Sequence, residues 1–277
     1  MLAALIIVFR EVFEAGLIVG IVMAVTRSVP LRGWWVTGGV VAGLAGACVV
    51  AVFAEVLAQA FAGSGQELFN AGILILAVVM LTWHNVWMAR HGRELAAEMR
   101  AAGEAVVAGR SSLTALAIVV GVAVLREGSE VVLFLYGILA SESSAASVFA
   151  GGVAGLVLGA LVCALTYFGL LHIPGRYLFA VTSLMIAFLA AGMASQAVLF
   201  LAQADVLTAF GRTLWDTSWI LSEGSILGKA LHTLVGYSDQ PTGMQLLAYV
   251  ATLAITFALM KLFAPPPPLQ RQPVAAE

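Results

Sequence analysis

Two short stretches of this sequence share the pattern Arg-Glu-x-x-Glu, one at residues 10–14 and the other at residues 126–130. If each stretch is helical, its two acidic side chains lie about 60° apart around the axis and share a face. The arginine precedes the second glutamate by four residues and can reach it on that face. Each motif therefore offers two carboxylates and one guanidinium, a set that can bind a cation or exchange a proton.

The chain around these motifs is apolar. Of its 277 residues, 62% are hydrophobic and only 10% are charged, whereas soluble globular domains usually have about 25% charged residues. This composition indicates an integral membrane protein. A net charge of -2 and a pI near 6.1 leave no basic surplus for a phosphate backbone, which excludes nucleic-acid binding. Cys48 and Cys163 match no metal or redox spacing, and we interpret them as small packing residues.

Seven apolar runs are long enough to cross a hydrocarbon core, which takes about 20 helical residues. We predict that all seven are helices, because they lack the two-residue alternation of barrel strands. We expect the first run to stay in the mature protein, since it has no basic region before it and has charges inside it. The predicted spans are 2–26, 34–62, 68–88, 113–139, 148–171, 177–203 and 246–263.

The order of these spans predicts an inverted repeat. Weaker echoes accompany the two motifs: residues 41–44 match residues 153–156, and residues 74–77 resemble residues 184–187. Each unit holds three spans, so the second copy must enter the membrane with the opposite polarity. We therefore predict an all-α integral membrane protein with seven transmembrane helices, arranged as two inverted three-helix repeats plus a C-terminal helix.

The domain boundaries follow from the same pattern. The first repeat covers residues 1–90 and the second covers residues 113–203. They are joined by a charged cytoplasmic connector, 91–112, whose charge spacing suits a helix. An extracytoplasmic segment, 204–245, precedes the last transmembrane helix, 246–264, and a proline-rich tail, 265–277, is expected to be disordered.

The basic residues predict the orientation. Nine of the thirteen Lys and Arg residues lie on the side of the membrane opposite Met1, and basic residues are retained on the cytoplasmic side. We expect an external N-terminus and a cytoplasmic C-terminus. The nine residues are Arg27, Arg32, Arg90, Arg93, Arg100, Arg110, Arg176, Lys261 and Arg271.

The motifs place six ionisable groups near the middle of two spans, at a nominal cost of about 15 to 20 kcal/mol before pairing. Arg10 can neutralise Glu14, and Arg126 can neutralise Glu130, as ion pairs that only fix helix packing. That interpretation leaves Glu11 and Glu127 uncompensated, and each must then be protonated or balanced by a cation. Carboxylates without a Cys or His cluster favour a hard or borderline cation, which leaves iron, manganese and magnesium open.

The doubled motif, with seven spans and an external N-terminus, resembles the oxidase-dependent iron transporter family of yeast and bacterial iron permeases. The resemblance extends over nearly the whole chain, including residues 214–218 and 234–237. It implies that Glu11, Glu14, Glu127 and Glu130 translocate iron, and that Arg10 and Arg126 orient them. It also implies iron as the transported substrate, a location in the cytoplasmic (inner) membrane, and a separate extracytoplasmic oxidase or iron-binding protein. We expect no organic cofactor. Ferrous and ferric iron both remain open, as does a homo-oligomer.

Other polar residues receive weaker predictions. Four acidic residues at or near the external face are candidates for passing a cation inward: Glu55, Glu67, Glu142 and Asp216. The scattered histidines, including His84 near the inner end of its span, are interpreted as ordinary boundary residues rather than ligands.

Competing functions fit the sequence less well. A seven-helix photoreceptor or signalling receptor matches the number of spans, but a retinal protein needs a lysine in the middle of its last helix, and Lys261 lies at the inner end. An intramembrane hydrolase lacks its motifs, because neither His-Glu-x-x-His nor Gly-x-Ser-x-Gly occurs. Transport of another metal, such as lead or manganese, on the same scaffold is the closer alternative.

Overall fold

The computed structural model describes residues 1–60, 65–141, 144–169, 175–207 and 209–263, which form an all-helical bundle. No strand occurs in these ranges, where only an isolated bridge pairs Thr213 with Thr242. The predicted tail, 265–277, and Glu142 lie outside the described residues. The helices are α1 (Leu2–Val25), α2 (Arg32–Ala60), α3 (Gln66–Val107), α4 (Leu113–Ser141), α5 (Ala145–Tyr167), α6 (Gly175–Gln203), α7 (Ile226–Val235) and α8 (Gly243–Leu262).

Five helices contain segments that are long and apolar enough to cross a membrane. These segments are Arg32–Leu57, Gln66–Met88, Ala145–Tyr167, Phe179–Gln203 and Gly243–Leu262. Helices α1 and α4 are of similar length, at 24 and 29 residues, but each has the three charged residues of its motif in its interior. The chain is thus a multi-pass membrane protein whose two motif helices are the polar exceptions.

The helices pack in a crosswise pattern. Helix α1 makes its most extensive contacts with α5, and α2 makes its most extensive contacts with α4. Helix α3 packs mainly on α6, and α8 also packs on α6. The second helix of each predicted repeat therefore packs on the first helix of the other repeat, which ties the two halves of the chain together.

Glycines make both of these interfaces close. A Cβ built on Gly43 would lie 2.6 Å from the carbonyl oxygen of Gly121 in α4, and one on Gly155 would lie 2.5 Å from that of Leu5 in α1. Four residues earlier, Gly39 and Gly151 meet the carbonyl oxygens of Ala117 and Met1 in the same way. In apolar surroundings such small residues let helix backbones approach and pack. In both interfaces, a step of four residues along one helix corresponds to a step of four residues in the same direction along its partner. The paired helices therefore run parallel.

Helix α3 extends well beyond its apolar part. Its 42 residues continue without a break from Gln66 to Val107, so the helix predicted for the charged connector is present as a continuation of α3. Its last turns are not fully exposed. Val106 is buried together with Val22 of α1, Val36 of α2 and a row of apolar residues of α4, which closes one end of the bundle: Leu116, Val120 and Val124.

The glycine contacts predict the effect of a larger side chain. Gly43→Val and Gly155→Val should each lower the free energy of unfolding by about 1–3 kcal/mol, because the new side chain would overlap a backbone carbonyl. Unfolding of the purified protein in mixed detergent micelles would measure this. Gly38→Val is the matched control, since a Cβ at Gly38 meets nothing within 4 Å. Equal stability of Gly38→Val and Gly43→Val would contradict the close packing of α2 on α4.

Candidate metal centre

The two motif helices bring three of their carboxylates together inside the bundle. Glu11 is fully buried and Glu127 is 2% exposed, while the Glu130 side chain is 14% exposed. One ligand atom from each of these three residues and one from His84 all lie within 4.8 Å of one another. This separation allows a small adjustment of side chains to place all four atoms around one ion.

The fourth motif glutamate is held differently. Arg10 donates from Nε to Glu14 Oε1 at 2.7 Å, and both side chains are about 1% exposed. The second oxygen, Glu14 Oε2, faces the ring of His84 at 3.4 Å. Glu14 therefore borders the cluster, but one of its two oxygens is committed to a buried ion pair.

The equivalent arginine of the second motif lies at the edge of the bundle. Arg126 donates from Nε to Glu130 Oε1 at 3.2 Å, and its Nε is 3.9 Å from Glu127 Oε1. Its side chain is 37% exposed, and its guanidinium lies over the ring of Trp87, 4.3 Å from the ring centre. Both motifs thus form the i, i+4 ion pair that the spacing predicts, but in unequal surroundings.

Several polar atoms of the cluster make no well-formed hydrogen bond within the described part of the chain. They include both carboxylate oxygens of Glu11, one oxygen each of Glu14 and Glu127, and Nε2 of His84, whereas His84 Nδ1 and Glu130 Oε2 are in close contact with each other. Buried polar groups are usually paired, because an unpaired one costs about 1–3 kcal/mol. Buried charged groups are usually paired or coordinate a metal, so a cluster of unpaired carboxylate oxygens is a candidate set of cation ligands.

His84 is the site residue that the sequence analysis missed. His84 does lie near the end of its apolar segment, Gln66–Met88, but it is only 3% exposed and lies in the cluster. A signal was available in the sequence, where His84 and Asn85 interrupt an apolar run. Asn85 is fully buried and donates to the carbonyl oxygen of Ser183 at 2.9 Å, which fixes this turn of α3 against α6.

A cavity of about 320 Å³ leads to the cluster from the side where α3 and α4 meet. Its lining combines groups of the cluster with apolar and aromatic side chains: Met80, Trp83, His84, Trp87, Arg126 and Glu130. Glu130 and His84 are therefore the members of the cluster that this cavity reaches.

The candidate external residues lie apart from the cluster in separate contacts. Glu55 accepts from the hydroxyl of Tyr136 at 2.7 Å, and Tyr136 is about 9 Å along α4 from Glu130. Glu67 is exposed in the first turn of α3. Asp216 accepts from the backbone and hydroxyl of Ser218 and from the Gln240 side chain, which lowers the pKa of this exposed carboxyl.

The sequence from residue 1 to 264 matches the Iron permease FTR1 family. The chain belongs to this family. It is similar to the ferrous iron permease EfeU of Yersinia pestis, with 32% identity over 271 residues that cover 96% of this chain and 94% of the relative. Proteins of the same name from Shigella sonnei (strain Ss046) and Escherichia coli O157:H7 are each 29% identical over 269 residues, which cover 94% of this chain and 96% of theirs. No solved structure matches.

This membership confirms the resemblance carried by the two Arg-Glu-x-x-Glu motifs. It identifies the chain as a transporter of the iron permease family rather than an enzyme. The buried group of carboxylates lies in the two helices that contain those motifs.

The unequal burial of the two ion pairs leads to a stability prediction. Arg10→Leu should lower the free energy of unfolding by about 3–5 kcal/mol, because it leaves Glu14 as an unpaired buried charge. Arg126→Leu should cost less, since Arg126 is partly exposed. The double variant Arg10→Leu with Glu14→Leu should regain part of the loss. Unfolding in mixed detergent micelles measures all three, and equal losses for the two arginine variants would contradict the difference in burial.

Proposed function

We propose that this protein imports iron ions across the cytoplasmic membrane through a central site formed by Glu11, Glu14, Glu127 and Glu130. The observation that carries the proposal is that Glu11, Glu127 and Glu130, from both motifs, and His84 each have a ligand atom within 4.8 Å of the others. Glu14 borders this group through His84. Ionisable side chains inside transmembrane helices mark ion pathways and proton relays. The family to which the chain belongs supports iron as the ion.

The charge of the cluster favours a divalent ion. Four carboxylates against the guanidiniums of Arg10 and Arg126 leave two negative charges, which one divalent cation would neutralise. The relatives from Yersinia pestis and Escherichia coli are named ferrous iron permeases, and we propose ferrous iron for this chain as well. Manganese, which has the same charge, is the competing cargo that a transport assay must exclude.

The glutamates and arginines of the two motifs have different roles in the proposed site. Among the described residues, Glu11 forms no ion pair with an arginine, and Glu127 is 3.9 Å from the nearest arginine nitrogen. The oxygens of these two residues are therefore the most available to replace water around the ion. Arg10 fixes Glu14 and Arg126 fixes Glu130 in orientations that face the cluster. We propose that Glu55, Glu67, Glu142 and Asp216 attract the ion at the external face.

We further propose that the chain crosses the membrane seven times as two inverted repeats. The crosswise packing supports this arrangement. Gly43 contacts Gly121 in α4, and Gly155 contacts Leu5 in α1. Gly43 corresponds to Gly155 by the offset of residues 41–44 and 153–156, and Leu5 corresponds to Gly121 by the offset of the two motifs. The parallel course of α1 with α5, and of α2 with α4, also agrees with helices that cross in alternating directions.

The proposed location is the inner membrane, and the proposed orientation is an external N-terminus and a cytoplasmic C-terminus, as the distribution of basic residues predicts. A separate extracytoplasmic oxidase or iron-binding protein remains our prediction for the partner that delivers the ion. A homo-oligomer also remains a prediction.

Neutral substitutions test the central site. Glu11→Gln and Glu127→Gln should each reduce iron uptake to background in iron-starved cells that lack other iron importers, because an uncharged amide leaves the ion's charge uncompensated. Uptake of radioactive iron, with the amount of protein in the membrane measured alongside, gives the result. Glu98→Gln, in the exposed part of α3, is the control and should transport normally. Normal uptake by Glu127→Gln would refute the site.

Cysteine labelling tests the orientation. In a chain with Cys48→Ala and Cys163→Ala, a Gly224→Cys variant should react with a membrane-impermeant maleimide in intact spheroplasts. An Ala101→Cys variant should react only after the membrane is opened. Both residues are exposed in the structure, so access depends on the side of the membrane. The reverse pattern would contradict an external N-terminus.

A further inference from the structure

His84 lies between the two motifs with both ring nitrogens directed at carboxylates. Its Nε2 is 3.7 Å from Glu11 Oε2 and 3.4 Å from Glu14 Oε2. Its Nδ1 faces Glu130 Oε2 in close contact. One imidazole from α3 therefore contacts acidic groups of both α1 and α4.

The environment of the ring restricts its movement. The side chain is 4% exposed, and the next residue, Asn85, is tied to the backbone of α6. In the second repeat, Ala194 occupies the position that corresponds to His84, by the same offset that relates residues 74–77 to residues 184–187. The two repeats therefore supply matched carboxylates but only one imidazole, so the cluster is asymmetric.

The distances on the two sides of the ring differ in a way that suits a metal ligand. The Nδ1 side is in close contact with a carboxylate, while the Nε2 side faces carboxylate oxygens at separations beyond a good hydrogen bond. Histidines that bind metals usually donate their other ring N–H to a carboxylate, which fixes the tautomer and the ring orientation. Glu130 is placed to accept from Nδ1, and Nε2 then presents a lone pair to the side of Glu11.

We propose that His84 is a nitrogen ligand of the transported ion and that it gives the site its preference for iron over magnesium, calcium and manganese. This inference rests on the proposed function and extends it to a residue of α3. Sites made only of carboxylates suit magnesium, calcium and manganese, whereas imidazole suits iron, and affinity rises from manganese to iron in the order of divalent metals. An oxygen-only cluster would discriminate poorly among these ions.

X-ray absorption spectroscopy of ferrous iron bound to the purified full-length protein tests the ligand directly. The iron spectrum should contain the outer-shell scattering of an imidazole ring. The signal should vanish in His84→Gln and persist in His91→Gln, a variant of a half-buried histidine on the same helix. A wild-type spectrum with oxygen ligands alone would overturn the proposal.

A second variant keeps the test valid if His84→Gln does not fold. The chain has four histidines, so replacing His91, His172 and His232 with Gln leaves His84 alone. The imidazole signal should survive in this triple variant, and its loss there would overturn the assignment to His84.

Transport in proteoliposomes tests the selectivity. His84→Gln should bind ferrous iron at least about tenfold more weakly, and manganese should then inhibit its iron uptake at a correspondingly lower excess than in the wild type. If the wild type imports iron and His84→Gln keeps the wild-type response to manganese, His84 is not the selecting ligand although the glutamate site stands. If the wild type and Glu127→Gln show the same background uptake, the proposed function itself fails.

Discussion

The cost of burying charge in a lipid environment governs this structure. Glu11, Glu14, Glu127 and Arg10 are almost completely removed from solvent, and none of them is stable there alone. In the bundle, each buried ionisable group of the two motifs lies close to another ionisable side chain. The two guanidiniums neutralise only half of the four carboxylates. The remaining negative charge, together with carboxylate oxygens that make no well-formed hydrogen bond, distinguishes the centre of the bundle from a closed network of ion pairs.

The packing of the apolar helices makes this meeting of charges possible. Helices α1 and α4 each lie on a glycine-lined helix from the other half of the chain, α5 and α2 respectively. The exchange of partners fixes the position of each motif helix relative to the other, because α1 cannot shift on α5 without moving the half of the chain that also contains α4. Backbone approach at Gly43 and Gly155 leaves no space for a side chain, so the carboxylates are positioned by a rigid scaffold and not by flexible loops.

The cluster is less symmetric than its motifs. Arg10 is buried with Glu14, whereas Arg126 is partly exposed, lies over the ring of Trp87 and lines a cavity. Helix α3 adds His84, and the second repeat has Ala194 at the matching position. The cavity on the side of α3 and α4 reaches Glu130 and His84, while Glu11 lies deeper.

The sequence by itself determined the membrane character, the helices and the pairing inside each motif, because composition, run length and i, i+4 spacing are local properties. The doubled Arg-Glu-x-x-Glu pattern also identified the family that the comparison confirms. Only the tertiary structure decided which helices exchange partners, that the Arg10–Glu14 pair is buried while Arg126 is partly exposed, and that His84 joins the carboxylates. Those outcomes depend on how helices far apart in the chain approach one another. For His84 in particular, its place near the end of an apolar run suggested a boundary residue, whereas carboxylates of α1 and α4 face its buried ring.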